Sequence, residues 1–450
     1  MIHRFKANGI KLVVDVNSGA VHVIDDLVWD LLPYGPDFDH DKIQIDLSGK
    51  YGKEQITEAL SELESLAREG ILFSKWEDEI PMMKGEPVIK AMCLHAAHDC
   101  NLRCSYCFAS TGDFNGARGL LDFETGKKAL DFLVANSGKR KNLEVDFFGG
   151  EPLLNFETVK RLVYYGRELE PKHNKKFKFT VTTNGLNLND EMIDFINKEF
   201  VNVVISLDGR PEVHDRMRKT VNGSGSYGII EPKTKDLTDK RKQQNYYVRG
   251  TFTRHNLDFD KDVLYLADLG YKQISIEPVV APENMDYAIK EVDLEEVYAS
   301  YDRLMKAYIQ RRKEGQDFNF FHFSIDLSQG PCAAKRVTGC GAGNEYIAVT
   351  PSGDIYPCHQ FVGEDSQLMG NVLDGTFDRE KQLVFRKTNV FTKDKCSSCW
   401  AKFYCSGGCH ANAYHYSGDI NLPYELGCEM EKKRLECALA IKAIEQLEIY

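Results

Sequence analysis

No apolar stretch in this chain approaches the roughly 18 residues needed to cross a membrane. The start, Met1-Ile2-His3-Arg4, leads into alternating strand-like residues rather than the apolar core of a secretory signal. Positive charge is in deficit: 57 Lys and Arg stand against 68 Asp and Glu, a net charge of −11. That balance argues against a nucleic-acid partner, which calls for a clustered basic face. Internal repeats and low-complexity tracts are missing, and residues 1–82 contain no cysteine. With neither an export nor a membrane signal, the expected location is the cytoplasm. In that reducing compartment the chain's 13 cysteines point to metal or cluster ligation rather than disulfides.

The cysteines are not scattered. Cys100, Cys104 and Cys107 lie in His98-Asp-Cys-Asn-Leu-Arg-Cys-Ser-Tyr-Cys-Phe108, a C-x3-C-x2-C triplet. Three thiolates this close can hold three irons of a cubane and leave the fourth open to a substrate or cofactor. A zinc site would want one more ligand, which His98 could supply, so zinc stays open on the triplet alone. Tyr106 and Phe108 would wall such a site from water.

Cys340 and Cys358, with Gly353 between them, are followed by Cys396-x2-Cys399-x5-Cys405-x3-Cys409 and, eighteen residues on, Cys428. Zinc ribbons are the structural alternative for the 396–409 stretch. Cys93 and Cys437 read as buried core residues. The histidines His95, His98, His359, His410 and His415 read as structural.

At 450 residues the chain has room for two to four domains. Ile10–Ile24 reads as two strands joined by an Asn17-Ser18-Gly19 turn. Helices are expected at Asp25–Leu32 and Lys53–Gly70, the latter with Ile56, Leu60, Leu63 and Leu66 at helical spacing. A small sheet with three helices suggests a winged helix-turn-helix over residues 1–82. A linker around Glu77–Pro87 follows.

Over residues 83–315, strands are expected at Val88–Leu94, Leu143–Phe148, Lys178–Thr182, Val201–Leu207, Tyr246–Thr253 and Gln273–Pro278. Helices are expected at Phe123–Asn136, Phe156–Leu169, Asp190–Lys198, Asp260–Leu269 and Leu294–Arg312. This alternation predicts an α/β fold with a parallel sheet and right-handed crossovers. Functional groups should gather at the C-terminal strand ends. Gly149-Gly150-Glu151-Pro152 closes the second strand, where two glycines allow close backbone approach to a ligand and Glu151 can accept from a cationic amine. Asn184 follows the third strand, and Ser206 and Asp208 end the fourth. Arg218 offers a fork for a carboxylate or a salt bridge to solvent. Asp208 could bind a ribose or cap a turn, and Glu277 could face the cavity or serve structurally.

The triplet and the Gly-Gly-Glu-Pro run resemble the radical S-adenosylmethionine (SAM) superfamily. The seven-cysteine array at residues 316–450 resembles its SPASM extension. The order of elements in residues 1–82 resembles the leader-recognition domain of enzymes that modify ribosomally made peptides. Two stretches, Asp15–Ile24 and His98–Cys107, look most like the SCIFF maturases, which form thioethers in a six-cysteine peptide.

The resemblance implies a partial (β/α)6 barrel flanked by a peptide-recognition domain and a SPASM iron–sulfur domain. It implies three [4Fe–4S] clusters and SAM. Cys100, Cys104 and Cys107 would hold the first cluster. Cys340, Cys358 and Cys409 would hold auxiliary cluster I, with either Cys332 or a substrate thiolate as the remaining ligand. Cys396, Cys399, Cys405 and Cys428 would hold auxiliary cluster II. Tyr106, Gly149, Gly150, Glu151, Pro152, Asn184, Ser206, Asp208 and Arg218 would surround SAM.

The implied chemistry is reductive cleavage of SAM to a 5′-deoxyadenosyl radical, hydrogen removal from a peptide carbon, and carbon–sulfur bond formation. The partners would be a cysteine-rich precursor peptide, its leader held by the N-terminal domain, and an electron donor such as flavodoxin or ferredoxin. Other peptide modifications (carbon–carbon crosslinking, epimerisation, sulfatase-type maturation) and a non-catalytic iron–sulfur carrier are the alternative functions. His359 after Cys358 weakens the sulfatase alternative, because those enzymes place an aspartate there.

Overall fold

The N-terminal unit is built on two hairpins. Asn8 and Gly9, both at positive φ, turn β1 (Ile2–Ala7) into β2 (Ile10–Asp15) as an Asn-Gly pair favours, and β3 (Val21–Ile24) completes the antiparallel order β1-β2-β3. Helices α1 (Asp26–Leu31), α2 (His40–Leu47) and α3 (Lys53–Arg68) pack over the sheet. They close a separate core that includes Val13, Leu31, Ile43, Ile56, Leu60 and Leu63. The computed structural model describes residues 1–76, 85–325, 327 and 337–447. Cys332 and most of the linker expected at 77–87 fall outside the described residues.

Asp15, fully buried at the end of β2, ties this unit together. Its carboxylate accepts from Ser18 N and Oγ at 2.9 Å each and from Ser74 N at 2.9 Å, and Ser74 Oγ also donates to it. Burial works to raise its pKa, but these donors outweigh it and hold the carboxyl below its ordinary value. A carboxyl lowered in the folded state stabilises above its unfolded pKa of about 3.9, and that stabilisation is lost as the pH falls through the folded value. Asp15→Asn is therefore expected to cost about 1–3 kcal/mol at neutral pH and to flatten the acid dependence. Hydrogen exchange of residues 2–24, followed from neutral pH downward, checks both.

Six strands then follow chain order across one sheet. They are β4 (Ala91–His98), β7 (Asn142–Gly149), β8 (Lys176–Thr183), β9 (Asn202–Ser206), β11 (Tyr246–Phe252) and β12 (Gln273–Pro278), all parallel. Each side chain's facing follows the two-residue period of a strand. On β7, Leu143, Val145 and Phe147 are buried in the apolar core with Leu162 and Val163 of α5 (Phe156–His173). The opposite face of β7 and β8 carries polar groups, with Asp146 accepting from Thr180 at 2.8 Å and Thr182 at 3.5 Å. Burial pushes the Asp146 carboxyl up to about 6. This polar inner face is what a site needs and a packed barrel core would lack.

The helices expected between the strands are present within a few residues, and Phe123–Asn136 is matched at both ends. Two differences are physical. The first strand begins three residues later than expected and runs on to His98, which sets the triplet directly on its end. Helix Tyr227–Lys240 has no counterpart in the expected pattern, because Pro232 lies inside it and a proline there reads as a helix stop. Beyond β12, Asn319–Phe320 adds one parallel edge strand. On the far side Tyr346–Val349 pairs parallel with β4 and leads into antiparallel Asp354–Tyr356. The C-terminal helix Glu425–Leu447 lies against Leu294–Lys313 and the N-terminal sheet.

Candidate active site

The triplet loop leaves β4 at the C-terminal end of the sheet. Leu102–Cys104 pairs antiparallel with Arg218–Thr220, and the register sets Arg218 directly opposite Cys104. The Arg218 guanidinium lies 4.0 Å from the Cys104 sulfur. Cys100 Sγ accepts from Leu102 N at 3.4 Å and from Asn184 Nδ2 at 3.6 Å. Such N–H···S contacts stabilise thiolates and tune iron–sulfur centres. Without a metal the thiols are protonated: burial pushes Cys100 up to about 12 and Cys104 up to about 11. Ligation of a cation would displace those protons.

The Gly-Gly-Glu-Pro run braces this loop. Gly150 N donates to Ala97 O at 2.8 Å, and Glu151 N donates to Asp99 O at 2.9 Å. Gly149 adopts φ 125°, and a Cβ at either glycine would strike the backbone of residues 97–99. The glycines are required by this backbone contact, and both also line the cavity. Gly112, at φ 93°, closes the loop from the other side, where a Cβ would meet Cys100 Cβ at 2.6 Å.

The three thiols share one cavity of about 470 Å³, within the rough 300–1,000 Å³ range of small-molecule sites. Tyr106, Gly149, Gly150, Asn184, Ser206 and Arg218 line it, as the sequence anticipates. Glu151, Pro152 and Asp208 stand behind the lining. Glu151 is fully buried and accepts from Leu153 N at 3.0 Å, Thr183 Oγ1 at 2.8 Å and Asn184 N at 2.7 Å. Three of its lone pairs hold the β8 terminus in place. Pro152 opens a short 3₁₀ turn behind it. The Asp208 carboxylate is engaged by three other elements of the fold. It joins Arg218 Nε (3.0 Å), Tyr106 Oη (2.6 Å) and Thr251 N (3.0 Å) into one buried group. Arg218 is thus paired internally, not with solvent.

Glu277 does face the cavity. Burial works to raise its carboxyl, but the Arg249 guanidinium, 2.5 Å away, outweighs it and leaves the group below its ordinary value. His359 also lines the cavity, between the rings of Phe148 (4.8 Å) and Phe108 (5.4 Å). Arg249, Glu431 and Arg434 complete this wall and were not anticipated. The signal for Arg249 was a charge inside an otherwise apolar strand, and for the other two an i, i+3 pair on a buried helix. The zinc alternative loses its fourth ligand, since His98 Nε2 turns to His95 Nδ1 at 3.0 Å. Among the described residues no three His, Cys, Asp or Glu side chains are spaced to share a single metal ion.

Cys396, Cys399, Cys405 and Cys428 line a second cavity of about 440 Å³, and Glu431 borders both cavities. Cys399 Sγ accepts from Ala401 N at 3.4 Å. Cys340, Cys358 and Cys409 form a third group, in which Cys409 and Cys340 act on the buried Cys358 thiol. Cys93 and Cys437 are fully buried in apolar surroundings, as expected. His410 turns to Lys393, and His415 to the Gln360 carbonyl.

Residues 96–227 match the Radical SAM superfamily. The match begins at the end of β4 and spans both the triplet and Arg218, and it implies SAM and a [4Fe–4S] cluster as cofactors. The chain is 25% identical over 338 residues to the cysteine-type anaerobic sulfatase-maturating enzyme of Clostridium novyi, covering 70% of this chain and 86% of that one. It is 29% identical over 321 residues to the mycofactocin maturase MftC of Mycobacterium ulcerans, covering 69% and 80%. The solved structure of native anSMEcpe with bound AdoMet and Kp18Cys peptide shares the fold, with a TM-score of 0.65 at 21% identity over 79% of this chain and 99% of that one. No helix among the described residues is long and apolar enough to cross a membrane.

Proposed function

We propose that the chain is a radical SAM peptide maturase. It joins a cysteine sulfur to a carbon of another residue in a ribosomally made, cysteine-rich precursor peptide. The observation that carries this reading is the grouping of ten cysteines into three sets, one lining the cavity of about 470 Å³, one lining a second cavity and one around the buried Cys358 thiol. Two similar proteins carry "maturating" or "maturase" in their names, and a structure of the same fold holds a peptide with AdoMet.

Cys100, Cys104 and Cys107 would hold the catalytic cluster, which together with SAM supplies a radical able to take hydrogen from carbon. Cys396, Cys399, Cys405 and Cys428 would hold one auxiliary cluster. Cys340, Cys358 and Cys409 would hold another, leaving a ligand position for Cys332 or for the donor cysteine of the peptide. The donor set fits: triplet sulfurs face amide and guanidinium N–H groups, and the four thiols of the second set line one cavity.

The chain's own residues bind, orient and shield. Arg218, fixed by Asp208 and Tyr106, presents its remaining N–H groups to the cavity for the SAM carboxylate. Asn184 and Ser206 offer polar contacts beside it. The paired Arg249 and Glu277, Arg249 beside Ser206 on the neighbouring strand, would face the peptide, and Phe108, Phe148 and His359 form an aromatic rim. At the N-terminus, β3 pairs only with β2 among the described residues, so its free edge can take the leader as an added strand. That capture raises the local concentration of the core peptide. An electron donor of the flavodoxin or ferredoxin kind would supply reducing equivalents.

Anaerobic incubation with SAM, reductant and a small cysteine-rich peptide encoded beside the gene tests the reading. The expected product is lighter by two hydrogens, with one cysteine resistant to alkylation and joined to a second residue on fragmentation. Similarity to the Clostridium novyi relative favours a second reading, sulfatase-type maturation at a cysteine. In that case the cysteine is consumed with no crosslinked fragment.

A further inference from the structure

Lys393 is fully buried and stands among thiols of both auxiliary groups. Its Nζ donates to the Gly407 carbonyl at 2.8 Å and lies 3.4 Å from His410 Nδ1. Among the described residues no carboxylate joins these contacts. Burial works to lower its pKa, and the thiols of Cys396, Cys405, Cys409 and Cys428 work to raise it. The backbone fixes this placement: Cys396 N donates to the Lys393 carbonyl at 2.9 Å, and Gly407, at φ 87°, turns the chain where its carbonyl meets the ammonium.

An ammonium taken out of water needs an anion or a full set of acceptors, and one carbonyl with one ring nitrogen does not replace its hydration. Neutral thiols supply no compensating charge. Thiolates bound to iron–sulfur clusters do, since a [4Fe–4S] centre with thiolate ligands is anionic and its potential follows the local charge. We propose that Lys393 is the shared counter-cation of the two auxiliary clusters. It offsets their mutual repulsion and stabilises the reduced form of each. The inference rests on the reading that both auxiliary groups hold clusters. It adds a charge that belongs to neither group and acts on both, so electrons enter or leave the two sites at linked potentials.

The test uses the full chain, reconstituted anaerobically, with iron analysis and redox titration followed by electron paramagnetic resonance. Wild-type protein with about twelve irons satisfies the underlying reading, and about four would sink that reading without reference to Lys393. Given about twelve, Lys393→Met is expected to move both auxiliary signals to more negative potential or to lose the auxiliary iron. Lys393→Arg, which keeps the charge, should stay near wild type, and the triplet signal should not move in either variant. Wild-type iron and potentials in Lys393→Met would overturn the inference. So would a shift confined to one auxiliary signal, or an equal loss in Lys393→Arg, which would assign the effect to shape instead of charge.

Discussion

Replacing Cys100, Cys104 and Cys107 together by alanine is expected to reduce SAM cleavage below detection and to remove about four of about twelve irons. The remaining iron, about eight per chain, should stay with the C-terminal thiols, because those lie on different elements and in a separate cavity. Iron analysis and quantitation of 5′-deoxyadenosine check the two halves of this outcome. A chain that loses all its iron would mean that the three groups assemble as one unit. A chain that still cleaves SAM would remove the triplet from the chemistry. The loss should be complete because the loop carries no spare ligand: His98 is engaged with His95.

Asp208→Ala is expected to cost about 3–5 kcal/mol of stability, the loss that follows when one partner of a buried ion pair is removed. Asp208 is fully buried, and the Arg218 side chain is 10% exposed. The substitution leaves the guanidinium unpaired and strips Tyr106 Oη and Thr251 N of their acceptor. Arg218 is held opposite Cys104 by the short ladder of 102–104 with 218–220, so its displacement should weaken SAM binding as well. Denaturant unfolding under anaerobic conditions measures the first effect, and equilibrium binding of SAM the second. Arg218→Lys with Asp208 in place separates charge from geometry: it keeps the ion pair but not the fork, so stability should be retained better than SAM affinity. Equal retention of both would mean that charge alone sets the binding.

The order of strands and helices was legible because β/α alternation shows itself in period and composition. The residues nearest the triplet were legible because glycine, asparagine and serine at strand ends face the same cavity. The roles of individual charges were not. Glu151 stands in a run that advertises a ligand contact, yet it is fully buried and three donors from its own fold already bind its oxygens. Whether a carboxylate's lone pairs point inward or outward depends on tertiary neighbours that no local pattern records. Arg218 offered two destinations, and its strand register chose a third group, Asp208. Arg249, Glu431 and Arg434 escaped notice because a single charge in a strand or helix reads as surface. Lys393 escaped for the same reason, although its burial is complete.

The proposed chemistry begins with hydrogen leaving a peptide carbon, and deuterium tests that step most directly. The peptide substrate would carry deuterium at its non-exchangeable carbons and be incubated anaerobically with protein, SAM and reductant. The expected result is deuterium in 5′-deoxyadenosine, in step with a crosslinked peptide whose cysteine resists alkylation. Turnover of SAM with no deuterium transfer and a peptide of unchanged mass would contradict the assignment.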